Sequence, residues 1–315
     1  MKAISYSRYG GPEVLEYGER PDPKVGPDDV LVKVRAAAVN PVDRKAQAGY
    51  LDGMIDAVFP VIPGWDVSGV VVQPGVSVPE LAVGDEVMGY VREDFLSRGT
   101  FAEYVAAPVR TLARKPRTMG FEESAALPLA GLTAYQVLHQ ALSVRSGETV
   151  LVHAAAGGVG SMAVQIARHL GCRVIGAARE SGQDRIRELG AEPVLYDEHT
   201  FAKQVRALAP AGVDAVLDTI GGPFLKISPE VLAPEGRLAS VADGEVIGLG
   251  GRYFWVRPDR DDLAALATLA EEGVLTVRVA KAFPLERAAD AQRANAEGGL
   301  NGKVVVTVEW PTDAT

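Results

Sequence analysis

The chain holds a single cysteine, Cys172, and only four histidines, at positions 139, 153, 169 and 199. One thiol excludes an intrachain disulfide and any cysteine-rich zinc site, and it agrees with a reducing compartment. Cys172 itself reads most simply as a small hydrophobe beside a strand. One cysteine and four scattered histidines do not build a closed tetrahedral metal site, so no metal is expected. Long apolar runs are missing as well. No stretch approaches the roughly 18 residues that a spanning helix requires. The start, Met1-Lys2-Ala3-Ile4-Ser5-Tyr6, lacks the apolar core of a secretory signal. A cytoplasmic protein without a membrane partner is expected. Basic clusters are absent: 32 Lys and Arg against 41 Asp and Glu give a formal net charge of −9, which disfavours nucleic acid as a partner. No Gly-x-Ser-x-Gly elbow supports a hydrolase. The run Gly298-Gly299-Leu300-Asn301-Gly302-Lys303 has neither the spacing nor the Ser/Thr of a phosphate-binding P-loop. No internal repeat marks a solenoid.

What is present fits a compact two-domain enzyme. A length of 315 residues exceeds the usual single domain, and 47% hydrophobic with 23% charged residues lies near globular averages. Up to about residue 117 the text is made of short β-rich runs at 30–34, 67–72, 86–90 and 101–106, punctuated by glycine and proline, which predicts a small barrel or sandwich. From about residue 118 helical stretches alternate with apolar strands. Helices are expected at 122–139, 159–170, 184–189 and 201–208, and strands at 149–153, 173–177, 194–195, 213–218, 237–241 and 253–256. That alternation means βαβ units and a doubly wound parallel sheet of about six strands. After a further helix at 263–272, the strand-like 302–308 is expected to return to the first domain. The expected division is therefore 1–118 with 258–315 as the substrate domain, and 119–257 as the cofactor domain.

The strongest chemical signal is a buried strand that runs through His153 and Ala154 into Ala156-Gly157-Gly158-Val159-Gly160 and then a helix. Small residues at 154, 157 and 160 let the chain turn sharply, let backbone N–H groups approach a pyrophosphate and let the helix pack on its strand. The helix N-terminus offers unpaired donors and about half a positive charge, so an anion is held there without lysine. Ala154 stands where the usual pattern has its first glycine. His153, at the strand end, reads as a turn residue rather than a catalyst.

The end of the next strand selects the cofactor. An NAD site carries an acidic residue there, whereas this chain has Ala178 followed by Arg179. Arg179 can pair with the 2′-phosphate of NADP(H), with Ser181 and Arg185 as helpers. The counter-reading makes Glu180 the ribose ligand and leaves Arg179 and Arg185 as a solvated face.

With these residues assembled, the chain resembles the zinc-free quinone oxidoreductase branch of the medium-chain dehydrogenase/reductase superfamily. The likeness runs from end to end. It rests on Asn40-Pro41-Val42-Asp43, Pro63-Gly64-Trp65-Asp66, Val83-Gly84-Asp85-Glu86-Val87, Gly99-Thr100-Phe101-Ala102-Glu103-Tyr104, the glycine turn, Leu217-Asp218-Thr219-Ile220-Gly221-Gly222 and Gly302-Lys303-Val304-Val305. The resemblance implies a GroES-like β-rich domain, a Rossmann domain and a cleft between them. It further implies hydride transfer from NADPH to a quinone or activated alkene, and cofactor contacts that extend to Ile220 and Gly221. Zinc-dependent relatives carry a histidine where Trp65 stands here. Asn40, Asp43 and Tyr50 are implied around the nicotinamide. An amide or phenol donor there would meet the charge that develops on a carbonyl oxygen, and Tyr50 or a water could supply the proton. Asn40 and Asp43 equally suit a plain hydrogen-bonded turn, and Tyr50 a loop. The alternatives are an enoyl-thioester reductase and a non-catalytic, crystallin-like NADPH-binding protein. Relatives of this kind pair as homodimers through the edge of the Rossmann sheet, which places the expected edge at 250–256.

Overall fold

The computed structural model describes residues 1–310. It divides into two compact units, Met1–Leu129 with Pro258–Glu271 and Val277–Thr315, and Ala130–Arg257 with Glu272–Thr276. Nine strands open the first unit: β1 (Lys2–Ser5), β2 (Glu16–Glu19), β3 (Asp29–Val39), β4 (Asp56–Ala57), β5 (Asp66–Pro74), β6 (Glu86–Tyr90), β7 (Phe95–Leu96), β8 (Tyr104–Pro108) and β9 (Leu112–Arg114). Helix α1 (Pro41–Gln47) follows β3, and α2 (Phe121–Ala126) follows β9. In β3, Val30, Val32 and Val34 are buried on one face while Lys33 and Arg35 point away, the two-residue alternation of a half-buried strand.

The second unit contains α3 (Pro128–Gln136, which begins in the first), β10 (Thr149–Val152), α4 (Gly158–His169), β11 (Arg173–Ala178), α5 (Gln183–Glu188), β12 (Glu192–Leu195), α6 (Phe201–Leu208), β13 (Val213–Asp218), α7 (Gly222–Ile227), β14 (Leu232–Ser240) and β15 (Arg252–Tyr253). Its six strands pair in parallel in the order β12-β11-β10-β13-β14-β15. This is the dinucleotide-binding topology, with its switch point between β10 and β13. Leu151, Ile175, Val194 and Val216 from four adjacent strands share one core. They explain why these strands read as continuous apolar runs. The chain then adds α8 (Arg260–Glu271), β16 (Val279–Pro284), α9 (Ala288–Glu297) and β17 (Lys303–Thr307). β17 runs antiparallel to β3 and closes the first sheet, ordered β16-β17-β3-β5-β6-β9 with β8 also on β3.

Four readings of the sequence need correcting. The helix expected at 122–139 is broken at Pro128, which lacks the N–H to continue α2, and it ends in a π-helical turn at Val137–Ala141. The first unit reaches Leu129 rather than ending at residue 118, because α2 packs on β3 and β5. β14 begins five residues before the expected 237, at Leu232, and β16 and α9 had no counterpart in the sequence reading. Alanine-rich α9 has a weak amphipathic pattern, which hides it. Among the described residues no helix is long and apolar enough to cross a membrane, and no group of three His, Cys, Asp or Glu could hold a metal ion.

Candidate functional site

The glycine turn is held from below. Ala154 takes a left-handed φ of 46°, the conformation that the usual first glycine would adopt freely. Its N–H donates to the Tyr196 hydroxyl at 2.5 Å, and its carbonyl accepts from Gly157 N–H at 2.8 Å. Gly160 is packed so closely that a Cβ would lie 2.2 Å from the Ala154 carbonyl oxygen. Ala156 and Gly160 are buried, and Gly157, Gly158 and Val159 are half-buried at the start of the 12-residue helix α4. The first N–H groups of a helix have no partner within it, and Gly157 and Gly158, both half-buried, carry no side chain of their own there. A pyrophosphate suits the start of α4: glycines allow close approach of the backbone, and the donors and the helix dipole favour an anion.

At the end of β11, Ala178 is buried, and its carbonyl accepts from Tyr196 N–H and from the Gln183 amide. Arg179, Glu180 and Ser181 are exposed beside it, with Glu180 opening the short turn Glu180–Gly182 before α5. Arg185 is not brought to that place. Its guanidinium pairs with Glu188 at 3.1 Å and lines a groove with Arg168 and His169 at the C-terminal end of α4, the end opposite the glycine turn. Tyr196, at the end of β12, went unnoticed in the sequence, where an aromatic after a strand carries no signal. It stacks against Phe224 with ring centroids 4.3 Å apart and braces Ala154. Ile220 is exposed in the turn after β13, and Gly221 beside it is buried with φ 73°.

His153 is more than a turn residue: it is completely buried, with Nε2 3.2 Å from Ser228 Oγ. Since the Ser228 hydroxyl donates to the Phe224 carbonyl, it accepts from His153 Nε2–H, which leaves Nδ1 bare and facing Asp218 at 4.0 Å. Burial drives the imidazole pKa down to about 4, against the opposing pull of Asp218.

In the first unit, Asn40 and Asp43 are 2% and 3% exposed at the N-terminus of α1, where Asp43 N–H donates to the Asn40 main-chain carbonyl at 3.0 Å. Asp43 Oδ2 accepts Asn40 N–H at 2.7 Å. The Asn40 amide donates to Asp66 Oδ2 at 2.9 Å and accepts from the Lys303 ammonium. Lys303 lies 3.9 Å from Asp66, whose other oxygen accepts Leu129 N–H at 2.8 Å. The Asn40 amide is thus fixed at both ends. Burial raises the Asp43 carboxyl to about 7 and that of Asp66 to about 6, and it lowers the Lys303 ammonium. In the sequence Lys303 stands in the strand-like run Gly302-Lys303-Val304-Val305, with no sign of a partner at Asn40. Its buried ammonium became visible once β17 was paired with β3. Trp65 packs edge-on to Tyr90. Tyr50 is 75% exposed in the loop after α1, near in sequence to exposed Met54 and Val58.

Comparison with known proteins agrees with both units. Residues 26–117 match the model of the alcohol dehydrogenase GroES-like domain, and residues 158–253 that of the zinc-binding dehydrogenase family. The NADPH-dependent alkenal/one oxidoreductase of Arabidopsis thaliana is 36% identical, over 97% of this chain and 79% of its own. The 2-methylene-furan-3-one reductase of Solanum lycopersicum is 35% identical over the same shares. The structure of the quinone oxidoreductase from Coxiella burnetii superposes with a TM-score of 0.86 at 34% identity, covering 98% of this chain and 99% of that one. The chain belongs to the zinc-free quinone oxidoreductase branch of the medium-chain dehydrogenase/reductase superfamily.

Proposed function

We propose that the chain uses NADPH to reduce a quinone or an α,β-unsaturated carbonyl, without a metal. The observation that carries this reading is the close-packed glycine turn at Ala154 to Gly160, together with Ala178 and the exposed Arg179 at the end of β11. Bound there, the cofactor would supply a hydride. The residues of the chain bind and orient it: α4 N–H groups at the pyrophosphate, Arg179 at the 2′-phosphate, Ile220 and Gly221 along its other half. Of the three residues expected around the nicotinamide, Asn40 and Asp43 are buried and hydrogen-bonded within the fold, and Tyr50 is the exposed one. Much of the acceleration then comes from holding hydride donor and acceptor together, with solvent as the proton source. Relatives named for alkenals, furanones and quinones support this substrate class. The test is oxidation of NADPH and of NADH with a panel of quinones and enones, alongside elemental analysis. Turnover with NADPH by metal-free protein is expected. One zinc per chain, or cofactor binding with no turnover on any acceptor, would sink the reading.

A further inference from the structure

Asp218 ends β13 and is completely buried. Its Oδ1 accepts the N–H groups of Gly221 at 3.0 Å and Ile220 at 3.3 Å, and its Oδ2 accepts Gly221 N–H at 3.0 Å and the Ser240 hydroxyl at 2.5 Å. Ser240, the last residue of β14, in turn accepts from Ala242 N–H at 3.1 Å and Asp243 N–H at 3.0 Å. Asp243 Oδ2 then accepts Gly222 N–H at 3.2 Å, which closes a ring of bonds. One carboxylate therefore ties the turn after β13 to the turn after β14. Gly221 and Gly222 both have left-handed φ, 73° and 69°, and a Cβ on Gly221 would lie 2.7 Å from that of Asp243. The turn is thus held in a conformation that only glycine adopts readily, and it is aimed by the carboxylate beneath it.

The sheet order says what lies above. A dinucleotide crosses the switch point between β10 and β13, with its pyrophosphate at the N-terminus of α4. Arg179 on the β11 side takes the adenosine phosphate in the proposed reading. The nicotinamide half is left to the ends of β13 and β14. We infer that Asp218 is a positioning residue that fixes the two turns under the nicotinamide half of the cofactor, acting through Gly221 and Ser240. This inference rests on the proposed cofactor site.

The test uses the whole chain and three probes measured by calorimetry: NADPH, NADH and adenosine 2′,5′-bisphosphate, which has the phosphorylated adenosine half and no nicotinamide. Asp218→Asn keeps the shape of the side chain but sets an N–H₂ group against donors. It should weaken both dinucleotides roughly tenfold, the scale of one lost hydrogen bond to a charged group, and leave the bisphosphate unchanged. Ser240→Ala should show the same pattern more weakly, and it keeps the test open if Asp218→Asn does not fold. Equal weakening of all three probes, or of none, overturns the inference and makes Asp218 a purely structural residue. Failure of the wild-type chain to bind any dinucleotide would overturn the cofactor reading itself, a separate result.

Discussion

Arg179 is exposed at the end of β11, where a guanidinium can reach a phosphate in the proposed cofactor site. Hydrogen bonds to charged groups contribute roughly 1.5–3 kcal/mol, so Arg179→Ala should weaken NADPH by roughly 10- to 100-fold. NADH lacks the phosphate and should bind as before. Equal loss of both in a titration would move the ribose contact to Glu180. At this scale the sequence was informative where chemistry depends on a short local run, as at Ala178 and Arg179. It was blind where partners come from distant strands. Nothing near Asn40 in the chain announces that its amide lies between Asp66, 26 residues on, and Lys303, 263 residues on. Tyr196 beneath Ala154, 42 residues away, is hidden for the same reason.

The strand, glycine turn and helix from β10 to α4 form an element whose geometry is set by close backbone approach. A Cβ on Gly160 would meet the Ala154 carbonyl oxygen at 2.2 Å and nearby backbone at 2.7–2.8 Å, and none of these atoms belongs to a flexible side chain. Gly160→Ala should therefore push α4 off its strand and abolish detectable NADPH binding, read by calorimetry on folded protein. Tight binding by that variant would mean that the helix start is not the pyrophosphate site. Ala154→Gly acts the other way. It relieves a left-handed alanine, whose cost is about 1 kcal/mol, and should raise stability without weakening the cofactor. Elements of this kind were legible because their spacing and apolar content are local. The break at Pro128 is equally local, since proline cannot continue α2, whereas α9, with Ala288, Ala291 and Ala294 as its buried apolar face, has too little contrast to declare itself.

On the scale of the molecule, each unit carries one buried titrating cluster, and the two respond to acid with opposite sign. In the first unit the Asp43 carboxyl is raised from 3.8 to about 7 by burial. The folded state then holds that proton more tightly than the unfolded chain. The stability it contributes is complete below about pH 4 and is lost as pH rises through about 7. In the second unit His153 is lowered from 6.5 to about 4 by burial. The unfolded chain takes up that proton first, so this contribution is complete above about pH 6.5 and is lost as pH falls toward 4. Each effect amounts to a few kcal/mol, since one pKa unit corresponds to about 1.4 kcal/mol. Hydrogen exchange should resolve them separately, because the core amides of each sheet report on their own unit. Between pH 7 and pH 5, after correction for intrinsic exchange, protection in β10 and β13 should fall while protection in β3 and β5 rises. Asp43→Asn should diminish the rise, of which Asp66, raised to about 6 by the same burial, carries the remainder, and His153→Gln, which keeps a donor for Ser228, should remove the fall. A common drift of both sheets in one direction, unchanged by either substitution, would show that neither buried group governs the response to acid.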